Sequence, residues 1–169
     1  MIVNSDKFIL DIQQRLQELF ILTADEKRRL YFSHGEILLS SVAMQFKSMG
    51  TRYLGHEWAP LAESTKKSYP SGKDTKNYSL EPTLNRSGSS GLFGSIRVNL
   101  TPDGPFLTAT KTGRNGENIA EYLQFGTRHM SPRPFLPMPP FQRSLLPDDI
   151  ERIRNVTIKA YELKVKKLR

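Results

Sequence analysis

The chain has 169 residues, a formal net charge of +8 and no cysteine. This length suits one domain with a modest core, so we expect a single domain over residues 1–169. The lack of cysteine excludes disulfides, thiolate catalysis and cysteine-bound zinc. No run approaches the roughly 20 apolar residues of a membrane helix, and the start lacks signal-peptide character. We therefore expect synthesis in the cytoplasm and no membrane association.

The first 50 residues are predicted to be helical. Apolar residues at helical spacing indicate an amphipathic helix over residues 6–21, which Ser5 or Asp6 can cap. Thr23 and Glu26 have the spacing of a capping box, which predicts a second helix that stops near Gly50. The apolar stripe of the first helix comprises Phe8, Ile12, Leu16 and Leu19, and that of the second comprises Leu30, His34, Leu38, Val42, Phe46 and Met49.

Residues 51–140 are predicted to form an α+β core. We expect a short helix over residues 61–69 and, after it, a mobile polar loop over about residues 70–82. A helical turn over 92–96 should lead into a strand over 96–100, and the Asp103-Gly104 turn should lead into its partner over 106–111. A short helix is expected over 119–125.

Residues 126–137 are predicted to form a rigid extended segment that begins at a sharp turn; we call this segment the arm. Gly126 suits a helix stop, and the prolines of the PRPFLP segment fix an extended backbone. A placed guanidinium and apolar anchors on a rigid arm suit a protein-docking surface, because little entropy is lost on binding. The alternative is a proline-rich loop that packs on its own core. The docking candidates on the arm are Arg133, Pro134, Phe135 and Leu136.

Residues 147–169 are predicted to form a C-terminal helix with a basic tail. Pro147 and the acidic pair Asp148-Asp149 suit the first turn of a helix. Its predicted apolar stripe comprises Ile150, Ile153, Val156, Ala160 and Leu163. The candidates for contact with a polyanion are Lys164, Lys166, Lys167 and Arg169, although basic ends are commonly just solvated.

Few residues suggest chemistry at a reactive site. The chain has three histidines, and His34 lies on a predicted apolar stripe, where a packed role is favoured over a metal ligand. We expect no catalytic residue, cofactor or metal site, and hence no enzyme. Trp58 is either a core residue that anchors a loose loop or an interface anchor. Phe125 is expected in the core, with an interface role as the alternative.

Three segments, taken in order, resemble the phage virion morphogenesis family, the tail-completion proteins of Mu-type tailed phages and their gp10-like relatives. The first is GHEWAPL at residues 55–61, followed by STK at residues 64–66. The second is LNRSGSSGLFGSI at residues 84–96, and the third is the QFG…RPFL pattern within residues 119–137. The chain departs from the family at Leu123, where a histidine is common. The inserted look of residues 87–90 also blurs the alignment of the family's single glycine.

The resemblance implies a structural protein of a phage or prophage that completes the head-proximal end of the tail, so that a head can join. It would belong to the tail or neck of the virion and assemble as a ring, for which six copies are one option. Its partners would be other tail and neck proteins, with non-specific DNA contact suggested by the charge. The alternatives are a tail terminator ring and a basic nucleic-acid-binding module. The expected fold class is α+β, with N-terminal amphipathic helices, a small, mostly antiparallel sheet and a C-terminal helix.

Overall fold

The computed structural model describes residues 21–60, 91–113, 115–138 and 145–167, and within them it shows an α+β fold. The predicted helix over 61–69 and the loop over 70–82 lie outside these residues, as does all but the end of the helix predicted over 6–21. No helix in the described ranges is long and apolar enough to cross a membrane. The described elements in chain order are α1 (Ala24–Lys47), α2 (Thr51–Leu54), a 3₁₀ turn (Phe93–Ser95), β1 (Ile96–Thr101), β2 (Gly104–Ala109), α3 (Ile119–Phe125) and α4 (Pro147–Lys167).

Helix α1 begins at the predicted capping box. The Thr23 hydroxyl accepts from the Glu26 amide at 3.2 Å, and the Glu26 carboxylate accepts from the Thr23 amide at 2.8 Å. The helix ends at Lys47, slightly before the predicted stop, and the chain reverses through Met49 and Gly50, both at positive φ. The backbone is thereby turned into the short helix α2.

Strands β1 and β2 form the predicted antiparallel hairpin, although β2 begins and ends earlier than expected. The hairpin packs on α1. Gly35 is buried in the middle of α1. A Cβ atom at this position would collide with the Val98 side chain of β1. This glycine therefore lets the sheet approach the helix closely, a role that the periodicity of the sequence does not reveal.

Helix α3 has the predicted bounds. The Asn118 side chain accepts from the Glu121 amide at its start, and Gly126 ends it with φ 78°. A Cβ at Gly126 would lie 2.7 Å from the Met130 carbonyl oxygen, so the corner has no room for a side chain. The arm that follows is assigned to no strand within residues 131–138.

Helix α4 begins at Pro147, as predicted, and lies antiparallel to α1. Asp149, near its start, contacts Ser41, and Lys164, near its end, contacts Glu26. The predicted apolar stripe is only partly correct, because Ile150 and Leu163 are half exposed whereas Asp149 and Lys164 are buried. Polar pairs across the interface with α1 set the rotation of α4, and the stripe alone does not.

The hydrophobic core lies between α1, the hairpin, α3 and the arm. Its buried members come from segments that are far apart in the sequence, and aromatic rings meet at its centre. Phe46 contacts Trp58, Phe93 and Phe135 with ring centroids 5.5 to 5.7 Å apart. The buried cluster comprises Val42, Phe46, Trp58, Leu92, Ile96, Ala120 and Phe135.

Candidate protein-interaction surface

The predicted docking arm is buried in its own protomer. Phe135 has no exposed surface, Arg133 is 5% exposed and Pro134 is fully buried. Leu136 is partly buried and packs against the core. The expectation that these residues form an exposed docking surface is therefore wrong, and the alternative of a proline-rich loop packed on its own core describes the arm. Proline rigidity here stabilises an internal contact, since an apolar ring gains more from burial in the core than from exposure.

The Arg133 guanidinium holds the arm against the segment that follows α2. It donates from Nε and Nη2 to the Ala59 carbonyl at 3.1 and 3.0 Å, and from Nη2 to the Pro60 carbonyl at 3.0 Å. The backbone amide of Arg133 donates to the Leu123 carbonyl at 2.7 Å. Peptide carbonyls therefore accept this cation's hydrogen bonds inside the molecule, which explains how an arginine can be buried here.

Gln124 clamps the backbone of the arm from the side of α3. Its Oε1 accepts from the amides of Phe135 and Leu136, each at 3.0 Å, and its Nε2 donates to the Leu136 carbonyl at 3.2 Å. The side chain is 2% exposed. One side-chain amide thus satisfies three polar backbone groups of the arm: the amides of Phe135 and Leu136 and the carbonyl of Leu136.

Trp58 and Gln45 complete the clamp at the Pro134 carbonyl. Trp58 donates to this oxygen from Nε1 at 3.2 Å, and Gln45 donates from Nε2 at 2.8 Å. Gln45 Oε1 also accepts from the Tyr53 amide at 3.0 Å. Trp58 is 5% exposed, so its role is that of a core residue and not of an exposed interface anchor.

The segments that carry the family resemblance meet in this core. Trp58 comes from the first, Leu92 and Ile96 from the second, and Ala120 and Phe135 from the third, and all belong to the same buried cluster. Distant motifs that converge on shared contacts form a structural unit. The motif residues named here pack in the core or form hydrogen bonds with the backbone. Any interaction surface must therefore be formed by other side chains.

The outward face of α3 carries an aromatic pair. Tyr122 is 43% exposed and Phe125 is 44% exposed, and their spacing places them side by side on the helix. The expectation that Phe125 lies in the core is wrong, because the helix turns Gln124 inward instead. The turn that follows exposes polar and basic side chains at Thr127, Arg128 and His129. We call Tyr122 and Phe125 the α3 aromatic face.

The basic residues of the C-terminal helix do not form one uniform patch. Lys164 is 9% exposed and donates to the Ile21 carbonyl and to Glu26, so it is wrong as a polyanion contact. Hydrogen bonds from the Thr23 amide and from Lys164 lower the pKa of Glu26 to about 2. Lys166 and Lys167 are exposed, and Arg169 lies outside the described residues.

A polar cluster joins α4 to the end of α1. Arg52 donates to Asp148 at 2.7 Å and to Asp149 at 3.0 Å, while the Ser41 hydroxyl donates to Asp149 and accepts from Arg52 and Tyr53. Burial raises the pKa of Tyr53 to about 12, so the phenol stays a neutral donor. Every member has a defined partner, and the cluster serves to dock α4.

The histidines are dispersed. His34 is part-buried, with Nε2 3.0 Å from the Thr157 hydroxyl, and that hydroxyl donates to the Ile153 carbonyl. The His34 ring therefore donates through Nε2, and burial lowers its pKa. His56 and His129 are exposed. In the described parts of the chain, no group of three or more histidine or carboxylate side chains is placed to hold a metal ion.

Sequence reasoning missed Gln45, Gln124 and Tyr122. A buried glutamine has no periodic signature, and the only hint for Gln124 was its place in the QFG pattern, two residues before Gly126. Comparisons with protein-family models, with curated proteins and with solved structures found no match to this chain.

Proposed function

We propose that this chain is a structural protein of a phage or prophage, located in the tail or neck, which completes the head-proximal end of the tail by protein–protein assembly. One observation supports the proposal most. The three segments that resemble the virion morphogenesis family meet around Phe46 and the Pro134 carbonyl, although they are widely separated in sequence. The residues that carry the resemblance are therefore residues that build the core of this chain.

The α3 aromatic face is the docking element of this proposal. Tyrosine and phenylalanine offer large contact areas with few rotatable bonds, so they lose little entropy on binding. Helix α3 is itself held by Gln124 on its inner side and by the Gly126 corner at its end. The face is thus presented by a rigid support. A patch that meets a different surface on the next subunit can close a ring by rotation.

The test is complementation of a phage or prophage from which the gene has been deleted. The wild-type chain, the double variant Tyr122→Ser/Phe125→Ser and the control Phe32→Ser would each be supplied in trans. Phe32 is a suitable control because it is 55% exposed on α1, outside the α3 aromatic face. We expect wild-type and control to restore infectious particles and the double variant to fail, with normal-length tails that lack heads in electron micrographs.

The outcomes separate the proposal from its alternatives. Tails of abnormal length would identify a terminator ring instead of a completion factor. Deletion without any loss of infectivity would overturn a role in the particle. Tight DNA binding that falls steeply with salt, together with loss of infectivity on replacing Lys166 and Lys167 but not the α3 aromatic face, would favour the nucleic-acid-binding module.

A further inference from the structure

An open apolar groove of about 270 Å³ lies between the first half of α1 and the second half of α4. The buried side chains of Leu22 and Leu30 line it from α1. Val156, Ala160 and Leu163 line it from α4, and Leu163 is 54% exposed. Because water contacts apolar side chains here, an apolar partner that displaces this water would bind favourably.

The two walls of the groove have the geometry that suits a third helix. On each wall the lining residues recur at intervals of three and four, from Leu22 to Ser33 on α1 and from Val156 to Lys167 on α4. This spacing means that each helix presents one lengthwise stripe to the groove. At 1.5 Å per residue, each stripe is about 16 Å long, or about three helical turns. An amphipathic helix of this length can lay its apolar face between the two walls.

The charges along the groove favour an acidic partner. Arg29 on one wall and Lys159 and Lys167 on the other are exposed, and none of them forms an ion pair among the described residues. The remaining charges, Glu26 and Lys164, pair with each other at 3.0 Å. The groove is therefore apolar at its centre and cationic along both walls, and carboxylates on a partner would complement it.

We propose that this groove binds an amphipathic helix of another protein, with an apolar stripe of about three turns and acidic side chains on both flanks. A second copy of this chain is a poorer occupant. The same face of that copy would bring cations against cations, and the whole chain already carries a net charge of +8. The groove is a different surface from the α3 aromatic face, so this binding does not depend on the proposed role in a phage.

Nuclear magnetic resonance titration of the isotope-labelled full chain tests the proposal with three synthetic peptides of about 15 residues. The first has leucines at helical spacing and glutamates on both flanks of that stripe. The second replaces every glutamate by lysine, and the third has the composition of the first in scrambled order. We expect the first to bind at least about tenfold more tightly than the others, because several surface ion pairs add small contributions to apolar contact. The amide signals that move should include those of Ser33, Ala160 and Leu163.

Two pairs of variants locate the binding of the acidic peptide. Lys159→Glu should weaken it about fivefold, because a repulsion replaces an attraction. The matched control is Arg154→Glu, since Arg154 is exposed on the same helix and does not line the groove. Leu163→Ser should also weaken binding about fivefold through lost apolar contact. Its control is Ile158→Ser, at a side chain of α4 that is 49% exposed and lies outside the groove. Both controls should bind like the wild type.

The other outcomes would each overturn the proposal. An acidic amphipathic peptide that leaves the signals of the groove unmoved would show that the groove does not take such a helix. Equal affinity for the acidic and the lysine peptides would show that charge does not choose the occupant. Movement of the same signals with protein concentration alone would identify a second copy as the occupant. Movement with vesicles of anionic lipid, but not with the peptide, would identify a membrane surface instead. Loss of infectivity in the complementation test is a separate readout, so failure of either proposal leaves the other standing.

Discussion

The core around the arm and the junction between α1 and α4 are held together in different ways. In the core, aromatic rings pack around Phe46, and neutral amides satisfy the backbone of the arm. At the junction, ion pairs and hydroxyl groups connect the helices, as Arg52 with Asp149 and Lys164 with Glu26 show. Apolar packing responds little to pH, whereas charged contacts respond directly. The comparison therefore predicts a pH-insensitive core and a C-terminal helix whose docking depends on ionisation.

Replacing Phe135 should have the largest effect on stability. Phe135→Ala removes a fully buried ring and leaves a cavity, so the free energy of unfolding should fall by about 4 kcal/mol. Phe125→Ala, at the phenylalanine of α3 that is 44% exposed, should lower it by clearly less, because much of this ring already faces solvent. Urea denaturation measures both values. Equal costs would show that the arm is not packed as described.

The buried carboxylate of the junction should come next. Asp149→Asn removes the buried carboxylate that pairs with Arg52. The free energy of unfolding should therefore fall by about 3 kcal/mol. The neighbouring Asp148→Asn should cost at most about 1 kcal/mol, because that side chain is 56% exposed. Thermal unfolding of the two variants in parallel would decide, and a larger cost at Asp148 would contradict the burial of the pair.

Replacing Gln124, whose amide holds the arm, should lower the free energy of unfolding somewhat less. Gln124→Met keeps the volume of the side chain but leaves the buried amides of Phe135 and Leu136 without an acceptor, at a cost of about 2 kcal/mol. Amide hydrogen exchange should accelerate at these two residues. Unchanged protection there would mean that the clamp does not hold the arm.

Acidification should loosen the junction through Glu26. Its pKa in the folded chain is about 2, below the usual 4.5, so its stabilising effect is present above pH 4.5 and is lost as pH falls from 4.5 toward 2. Glu26→Gln should flatten the decline of unfolding free energy in this window. The difference between wild type and variant isolates the effect from other carboxylates, and parallel pH curves would refute it.

Replacing His34 should change the stability least, and the change should appear at higher pH than the change caused by Glu26. Burial places its folded pKa below the usual 6.5, so the neutral ring favours folding and stability falls as pH decreases below 6.5. His34→Gln keeps a side-chain donor for Thr157 and should reduce this decline. Nuclear magnetic resonance titration of the ring offers a direct check, and a pKa above 6.5 would reverse the sign.

Local signals in the sequence predicted the hairpin and the described helices other than α2 well. The Thr23–Glu26 box, the Pro147 start and the Gly126 stop each act within a turn of backbone, so neighbouring residues suffice to specify them. The site was predicted poorly. Arg133 and Phe135 look like an exposed anchor pair when read in isolation, and only the carbonyls of Ala59 and Pro60 and the ring of Phe46 show where they belong.

By itself, the sequence determined the α+β class, the order of the elements and most of their limits, because capping, turn chemistry and periodicity are local. The tertiary structure decided which side chains face inward. It buried Gln124 and exposed Phe125, and it set the rotation of α4 through Asp149 and Lys164 in place of an apolar stripe. Burial depends on partners distant in the chain, and a polar side chain enters a core only where those partners satisfy its hydrogen bonds.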